Sequence, residues 1–299
     1  MACFHPLPAW TSVEGYNPST GKRSLTFDQS KGIPGSDLKI PCGQCIGCRL
    51  ERSRQWAIRC VHEASLHDDT QFLTLTFADK YLPSDASLDV SILQKFLKRY
   101  RKTYPDVPIR FYACGEYGEQ FQRPHYHIII FGHEFEDKKV FKLNHGFPIY
   151  VSAALQKLWP FGHSSTATCT FESCAYVARY VTKKITGKAA EEHYGGRKPE
   201  FNTMSRKPGI AHDWFDQFRS DVYPQDYVVI RNGIKCKPPR YYDNLFDIYD
   251  PDTMKSIKTM RKEQIDEHSD NNTPDRLNVR ERIQELKAEK LIRPIETVL

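Results

Sequence analysis

The stretch QRPHYHIIIF, residues 122–131, decides how the rest of the chain is interpreted. Its last four residues form a β-branched and aromatic run that is typical of a buried strand. His125 and His127 stand just before this run, and residues two apart on a strand point to the same face. Both imidazoles therefore share one face of the strand, while Tyr126 points to the other. Such a pair is either a solvated strand edge or part of a metal site that needs a third ligand.

The order of strands and helices around this stretch predicts an α+β fold. The apolar pattern indicates strands at 71–77, 109–118, 125–131 and 165–171, and helices at 49–67, 87–104, 151–160 and 172–185. There is no room for a helix between the strands at 109–118 and 125–131, which excludes a doubly wound parallel sheet. We therefore expect a central antiparallel sheet with helices packed on one face, plus a Cys-rich N-terminal element and a helical C-terminal tail.

Length and composition fit one large domain or two of ordinary size. The chain has 299 residues, of which 39% are hydrophobic and 12% aromatic, enough for a substantial core. No apolar run approaches the ~20 residues that span a bilayer. The N-terminus has no basic segment followed by an apolar one, so it lacks the pattern of a secretory signal. We expect a cytoplasmic protein without a membrane partner.

Four segments are expected along the chain. Residues 1–67 are Cys-rich and end in a basic helix, with residues 1–40 loop-like, and residues 68–190 form the core that carries the chemistry. Residues 191–250 contain a β-hairpin, which the Asn232-Gly233 pair predicts. Residues 251–299 form a charged tail that is either helical, over 252–267 and 274–290, or partly disordered.

Glu116 is the candidate third ligand beside the two histidines. It ends the strand before them, and an antiparallel turn would fold it back towards His125 and His127. Two imidazoles and a carboxylate can hold a divalent cation and leave coordination positions open. Glu119 is also within reach, although Glu116 lies nearer the strand end and is better fixed. The alternative is a turn glutamate in solvent.

Two tyrosines and a lysine recur at helical spacing further along the chain. Tyr176, Tyr180 and Lys183 stand at positions i, i+4 and i+7 of the helix predicted at 172–185. On an α-helix these positions line one face. Such a stripe is either an aromatic core face with a lysine reaching out, or a pair of nucleophiles with a cation beside them. Val177 and Val181 can pack on an adjoining face, so the tyrosines need not serve the core.

Three of the nine cysteines form two overlapping C-x-x-C units in PCGQCIGC. The spacing of Cys42, Cys45 and Cys48 suits thiolate coordination of a structural Zn²⁺. The fourth ligand could come from Cys3, His5, Cys60 or His62, and we favour Cys3 or Cys60. The alternative is a set of free thiols. An odd number of cysteines argues against a disulfide framework.

The balance of charge is modestly basic, and it is clustered. There are 43 Lys and Arg residues against 37 Asp and Glu, a net charge of +6. Basic residues gather in three places: Arg49, Arg52, Arg54 and Arg59; Arg206 and Lys207; and Arg231, Lys235, Lys237 and Arg240. Basic clusters beside aromatic residues suit a nucleic-acid groove, and solvated surface is the usual alternative.

Three motifs in order give the chain a family resemblance. FLTLTF, RPHYHIIIF and YVARYVTKK resemble the motifs of the HUH (histidine–hydrophobic–histidine) rolling-circle replication initiators. The similarity is greatest to those of the small single-stranded DNA phages, the microviruses and particularly the gokushoviruses. PCGQCIGCR and GEYG resemble that branch too. The motifs span about residues 71–184. One departure is Tyr126, which is less apolar than the usual middle residue.

The resemblance implies a metal-dependent origin nickase and strand-transferase. It implies that His125, His127 and Glu116 hold Mg²⁺ or Mn²⁺, that Tyr176 and Tyr180 form 5′-phosphotyrosine links, and that Lys183 assists them. The partners implied are origin DNA, a host DNA polymerase and a host helicase in the host cytoplasm. No G-x-x-x-x-G-K-[ST] motif occurs, so we expect no fused helicase. The rival interpretations are a hydrolytic metal-dependent nuclease and a non-catalytic zinc-containing DNA-binding protein.

Overall fold

The computed structural model describes residues 3–16, 23–118, 121–144, 146–170, 174, 178 and 189–290. These residues divide into two compact units. The first takes in the described residues of 1–51 and 262–291, and the second those of 52–261. The four segment boundaries expected from the sequence remain a prediction.

The first unit contains a small antiparallel sheet that the sequence did not predict. Strands β1 (Leu7–Tyr16), β2 (Arg23–Thr26) and β3 (Leu38–Ile40) pair in the order β2-β1-β3. The expectation that residues 1–40 are loop-like is therefore wrong. Only Ala9 and Ser12 are buried on β1, so the apolar alternation that reveals a strand is missing.

The second unit is built on a seven-stranded antiparallel sheet. Its strands are β4 (Thr70–Thr76), β5 (Arg110–Tyr117), β6 (Pro124–Phe131), β7 (Lys139–Asn144), β8 (Phe147–Val151), β9 (Ser164–Thr168) and β10 (Phe201–Met204). They lie in the order β10-β5-β6-β4-β9-β8-β7, and every neighbouring pair is antiparallel. The predicted antiparallel sheet is confirmed. Strands β7, β8 and β10 were not predicted.

Eight α-helices occur within the described residues. They are α1 (Ile46–Ala64), α2 (Val90–Thr103), α3 (Ala153–Leu158), α4 (Ala189–Tyr194), α5 (His212–Val222), α6 (Arg240–Tyr249), α7 (Pro251–Glu267) and α8 (Pro274–Glu289). The two helices predicted after residue 251 are confirmed. A short hairpin pairs β11 (Val228–Val229) with β12 (Lys235–Cys236) around Asn232-Gly233, as the sequence predicted. The helix predicted at 172–185 lies outside the described residues, apart from Cys174 and Ala178, which are helical and buried.

Helices cover both faces of the large sheet, so the expected packing on one face is wrong. Side chains from α1, α5, α6 and α7 join Phe72, Tyr112 and Ile129 in one core. Side chains from α2, α3 and α4 join Leu73, Tyr126 and Ile128 in the other. The reason lies in β6, which is buried along its whole length because both of its faces are apolar.

Tyr126 fastens the start of α2 to the sheet. The side chain is fully buried, and its hydroxyl donates to the Asp89 carbonyl at 3.0 Å and accepts from the Asp89 N–H at 3.2 Å. Asp89 is also the N-cap of α2, because its carboxylate accepts from the Ser91 N–H at 2.8 Å. The departure from the usual hydrophobe at position 126 therefore adds two hydrogen bonds to the packing.

Candidate metal centre

Strands β5 and β6 bring Glu116, His125 and His127 together. In the antiparallel register Glu116 lies directly opposite His125, and His127 follows two residues further on the same face. Each of the three side chains is only 3% exposed. Glu119, the other candidate carboxylate, lies outside the described residues.

One carboxylate oxygen faces both imidazoles. Glu116 Oε1 lies 2.6 Å from His125 Nε2 and 3.2 Å from His127 Nε2. The two rings stand almost at right angles, at 87°, with their centroids 4.9 Å apart. The three candidate ligand atoms all lie within 4.8 Å of one another. The three donors therefore converge on one point rather than spreading along the strands.

The outer nitrogens of the two rings are held by other acceptors. His125 Nδ1 lies 3.2 Å from the Arg123 carbonyl, and His127 Nδ1 lies 3.1 Å from the Thr74 hydroxyl. A carbonyl only accepts, so His125 carries its proton on Nδ1 and directs Nε2 inward. This is the arrangement by which proteins orient metal-binding imidazoles. Sequence reasoning missed Thr74 and the Arg123 carbonyl, because neither residue type signals a role in orienting a histidine.

Glu116 is ionised at neutral pH despite its burial. Burial alone would raise the pKa of this carboxyl, but the hydrogen bonds from His125 and His127 outweigh it and lower the pKa to about 2. The site thus joins one full negative charge to two nitrogen donors in a region shielded from water. Such a charge is costly to bury unless a cation or protons balance it.

The residues fit a divalent cation. Ligands ~2.1 Å from a metal at right angles to one another are separated by about 3.0 Å, close to the 2.6 and 3.2 Å between Glu116 Oε1 and the two Nε2 atoms. Three protein donors leave further positions open for a substrate oxygen. Two imidazole nitrogens beside one carboxylate suit Mn²⁺ well and permit Mg²⁺.

The other predicted site residues belong to a part of the chain that the structure does not describe. Tyr176, Tyr180 and Lys183 all lie there. Their place on one helix face and their nearness to the three ligands remain predictions.

Four cysteines of the first unit form a second cluster. Cys3, Cys42, Cys45 and Cys48 place their sulfurs within 4.8 Å of one another. The Sγ atoms of Cys42 and Cys48, and those of Cys45 and Cys3, are 4.0 Å apart. A disulfide needs about 2.05 Å, whereas sulfurs at ~2.3 Å from a tetrahedral zinc lie about 3.8 Å apart. The spacing is that of zinc ligands.

Backbone N–H groups point at these sulfurs, as they do in zinc-binding turns. The N–H of Cys45 lies 3.3 Å from Cys42 Sγ, and that of Cys42 lies 3.3 Å from Cys3 Sγ. Burial raises the pKa of the Cys3 and Cys48 thiols. At Cys42 burial acts in the same direction, but hydrogen bonds from Cys45 and Gln44 prevail and lower the pKa to about 7. A dication would favour deprotonation of all four.

The structure selects Cys3 from the four candidates for the fourth position. Cys60 is fully buried in the core of the second unit. His62 Nδ1 lies 2.8 Å from the Tyr242 hydroxyl, and His5 Nε2 lies 2.5 Å from Glu281 Oε2. Cys3 therefore completes the set, and Phe4 and Leu277 pack around it.

Part of the basic face of α1 is structural. The Arg59 guanidinium donates twice to the Ile210 carbonyl, at 2.9 and 3.1 Å, and lies over the rings of Trp56 and Tyr241. Arg54 Nη1 donates to the Lys237 carbonyl at 2.7 Å. These two arginines support the fold, so they are poor candidates for DNA contacts.

Fold and site together define an α+β protein with a candidate metal centre on an antiparallel sheet. The family model described as replication-associated protein of the ORF2 type matches residues 70–185, which include all three ligands. The chain belongs to this replication-associated protein family of small single-stranded DNA phages, and the family expected from the motifs is confirmed.

Three relatives illustrate the match. Replication-associated protein VP4 of Bdellovibrio phage phiMH2K is 32% identical over 253 residues, which cover 82% of this chain and 77% of the relative. Replication-associated protein ORF2 of Spiroplasma virus 4 is 31% identical over 261 residues, 81% and 79% of the two chains. Replication-associated protein ORF4 of Chlamydia phage 1 is 30% identical over 215 residues, 69% and 53%. No solved structure matches significantly.

A membrane-spanning helix is not found in the described part of the chain. None of its helices combines the length and the apolar character that crossing a bilayer requires.

Proposed function

We propose that the protein initiates rolling-circle replication of phage DNA by nicking one strand at the origin. The observation that carries this proposal is the convergence of Glu116, His125 and His127 on one buried point, within the segment that matches the family. The net charge of +6 suits a DNA substrate.

The three ligands would hold Mg²⁺ or Mn²⁺ in the cell. When bound, the ion polarises a non-bridging oxygen of the scissile phosphate and offsets charge in the transition state. Glu116 supplies the negative charge that keeps the ion in place, and the acceptors at Thr74 and Arg123 keep both Nε2 atoms aimed inward. The protein thereby fixes where the phosphate sits.

The nucleophile in this proposal is a tyrosine, Tyr176 or Tyr180. The phenolic oxygen forms a bond to phosphorus while the bond from phosphorus to the 3′ oxygen breaks. The phenol loses its proton and the leaving oxygen gains one, which gives a 5′-phosphotyrosine and a free 3′-OH. A free phenol has a pKa near 10, so it needs activation, and Lys183 would stabilise the phenolate.

The same chemistry run backwards closes the circle. A host polymerase would extend the 3′-OH while a host helicase unwinds the duplex. After one circuit the second tyrosine would cut the regenerated origin, and the released 3′-OH would attack the first phosphotyrosine. The phosphodiester is restored without ATP because its energy is kept in the tyrosine link.

The four-cysteine cluster is proposed to hold a structural zinc. This assignment is independent of the nickase proposal, because the cluster belongs to the first unit and the Glu–His–His site to the second.

A covalent-adduct experiment tests the proposed function. Purified protein is incubated with Mn²⁺ and single-stranded phage-origin DNA labelled on the 3′ side of the nick, and the products are separated on a denaturing gel. We expect labelled DNA linked to protein. Cleaved DNA without an adduct would favour a hydrolytic nuclease, and no cleavage with any divalent metal would favour a non-catalytic DNA-binding protein.

A further inference from the structure

The hairpin of β7 and β8 exposes an unusual amount of apolar surface. It forms one edge of the large sheet, and its side chains are far more open than those of β6. Four of them are more than half exposed: Val140 at 62%, Phe141 at 63%, Leu143 at 69% and Phe147 at 58%. Large exposed patches of this kind usually mark a binding surface.

The hairpin is also positively charged. From residue 138 to residue 151 the chain has three lysines and no aspartate or glutamate. Lys138 pairs with Glu134, and Asp137 is occupied by the Ser152 hydroxyl and the Ala154 N–H at the start of α3. Glu136 is the third carboxylate before the hairpin. Lys139 and Lys142 are exposed, and Lys142 Nζ lies 5.9 Å from the centre of the Phe141 ring.

This combination suits single-stranded DNA better than a protein strand. Lysines on an edge strand and a bulge are two of the devices by which proteins prevent edge-to-edge pairing, and β7 has both, since its register shifts between Val140 and Lys142. Exposed aromatic rings beside cations are what sequence-tolerant single-strand binders use, because bases stack on the rings and phosphates meet the charges.

The hairpin shares a face of the sheet with the metal centre. The ring of Phe72 stacks on His127, with centroids 5.3 Å apart, and Phe72 lies opposite Ala167 of β9. Ala167 in turn lies opposite Ile149 of β8. Because residues two apart share a face, Phe147 points to the same face as the histidines. Strand β8 is three strand spacings from β6, about 14 Å, which a single strand of several nucleotides can span.

We propose that the β7–β8 hairpin is a binding site for single-stranded DNA, which stacks its bases on Phe141 and Phe147 and pairs its phosphates with Lys139 and Lys142. This inference rests on the proposed function for its DNA substrate. It adds a site outside the metal centre, which would hold the strand that leads to or from the nick.

The test measures the affinity of the full chain for a fluorescein-labelled 16-mer of thymidine, by anisotropy without added divalent metal. Phe141→Ala and Phe147→Ala should each weaken binding about tenfold, and the double variant about a hundredfold. Lys139→Gln with Lys142→Gln should lower the slope of log affinity against log salt by about 1.4. Phe147→Trp should keep the affinity and show tryptophan quenching on binding.

Matched controls come from another exposed aromatic–cation pair of the same unit. Tyr249 is 62% exposed, and the Arg219 guanidinium lies 4.2 Å from its ring. Tyr249→Ala, and Lys255→Gln on the exposed side of α7, should change binding less than about twofold. Unchanged unfolding temperatures and circular dichroism show that the hairpin variants are folded.

The proposal is overturned if the double phenylalanine variant binds the oligonucleotide like the wild type, or if the wild type does not bind it. It is also overturned if that variant keeps its affinity but changes oligomeric state, since the hairpin would then be a protein interface. Binding of this oligonucleotide requires no nicking. Loss of affinity in a protein that forms no adduct would leave the hairpin site standing and overturn only the proposed nickase.

Discussion

Each histidine of the metal centre uses one ring nitrogen for orientation and the other for its candidate ligand role. The Arg123 carbonyl that receives His125 Nδ1 is itself fixed, because the Arg123 side chain donates to Asp79 at 2.7 Å and to the Phe77 carbonyl at 3.0 Å. Thr74 performs the same service for His127 from the neighbouring strand. The direction of each imidazole is thus set before any ion binds.

Replacement of His127 by alanine should abolish metal-dependent nicking and leave DNA binding largely intact. The ligand set acts on transition-state charge, so we expect a loss of at least about 100-fold in nicking rate. Affinity depends mainly on Lys and Arg contacts to phosphates and should change less than about threefold. Nicking of an origin oligonucleotide and its binding are measured side by side, with exposed His193→Ala as the control. Normal nicking by His127→Ala would remove the metal hypothesis.

His62 should make the second unit sensitive to mild acid. Its ring is 7% exposed, stacks on Trp214 and lies beside the Tyr242 hydroxyl, and burial lowers its pKa from 6.5 to about 3. The unfolded chain takes up this proton below about pH 6.5 while the folded chain does not. Stability from this group is therefore complete above that pH and is lost as pH falls towards 3, by about 2 kcal/mol at pH 5.

The measurement compares urea unfolding at pH 7 and pH 5 in the wild type and in His62→Gln. Other groups also titrate in this range, so the difference between the two proteins isolates the share of His62. Glutamine does not titrate, and the loss of stability between the two pH values should shrink by about 2 kcal/mol. An equal loss in both proteins would contradict the prediction.

At the scale of elements, the sequence predicts best where burial is strongest. The run from Ile128 to Phe131 is buried on both faces, and the adjoining turn is short, so β6 and its pairing with Glu116 could be predicted directly. The β7–β8 hairpin escaped because its apolar residues are exposed and mixed with lysines, which removes the alternation of a half-buried strand. The fourth cysteine could not be chosen from spacing, since Cys3 meets Cys42 only through tertiary folding.

The two tyrosines of the helix predicted at 172–185 should act in turn. Tyr176→Phe and Tyr180→Phe should each retain some nicking of a short origin oligonucleotide, whereas the double substitution should retain none. Phenylalanine keeps the ring and most of the packing, so the missing hydroxyl accounts for the effect. Mass spectrometry of trapped adducts identifies the linked residue. Adducts on Tyr180 alone, with repeated circle production by Tyr176→Phe, would show that the tyrosines do not alternate.

The four-cysteine cluster should hold about one zinc per chain, and Cys45→Ser should lose it. The serine oxygen is a poorer ligand for zinc than the thiolate, and Phe4, whose N–H points at Cys45 Sγ, would lose its anchor. Atomic spectrometry of the purified protein gives the zinc content. Cys236→Ser, which changes a cysteine of the second unit, is the control. Wild-type protein that purifies without zinc would remove this site.

For the whole molecule, the modest positive charge should make DNA binding depend steeply on salt. A net charge of +6 favours contacts to phosphates, and each such contact to a single strand releases counterions and adds about 0.7 to the logarithmic salt slope. With about five contacts, affinity should fall about 100-fold between roughly 50 and 200 mM salt. Titrations across this range test it, with an uncharged methylphosphonate oligonucleotide as the control. An affinity that ignores salt would contradict the electrostatic contribution.

The assembly of the first unit from two distant stretches of chain has a consequence for biosynthesis. Leu277 of α8 packs against the four cysteines, yet residues 52–261 are translated between Cys48 and that helix. At ~5–20 residues per second the ribosome needs roughly 10–40 s to pass through them. The cysteine turn must therefore wait with its apolar side open until α8 emerges, while the seven-stranded sheet has all its strands available first. A nascent chain halted after residue 261 would have a complete second unit and an unfinished first one.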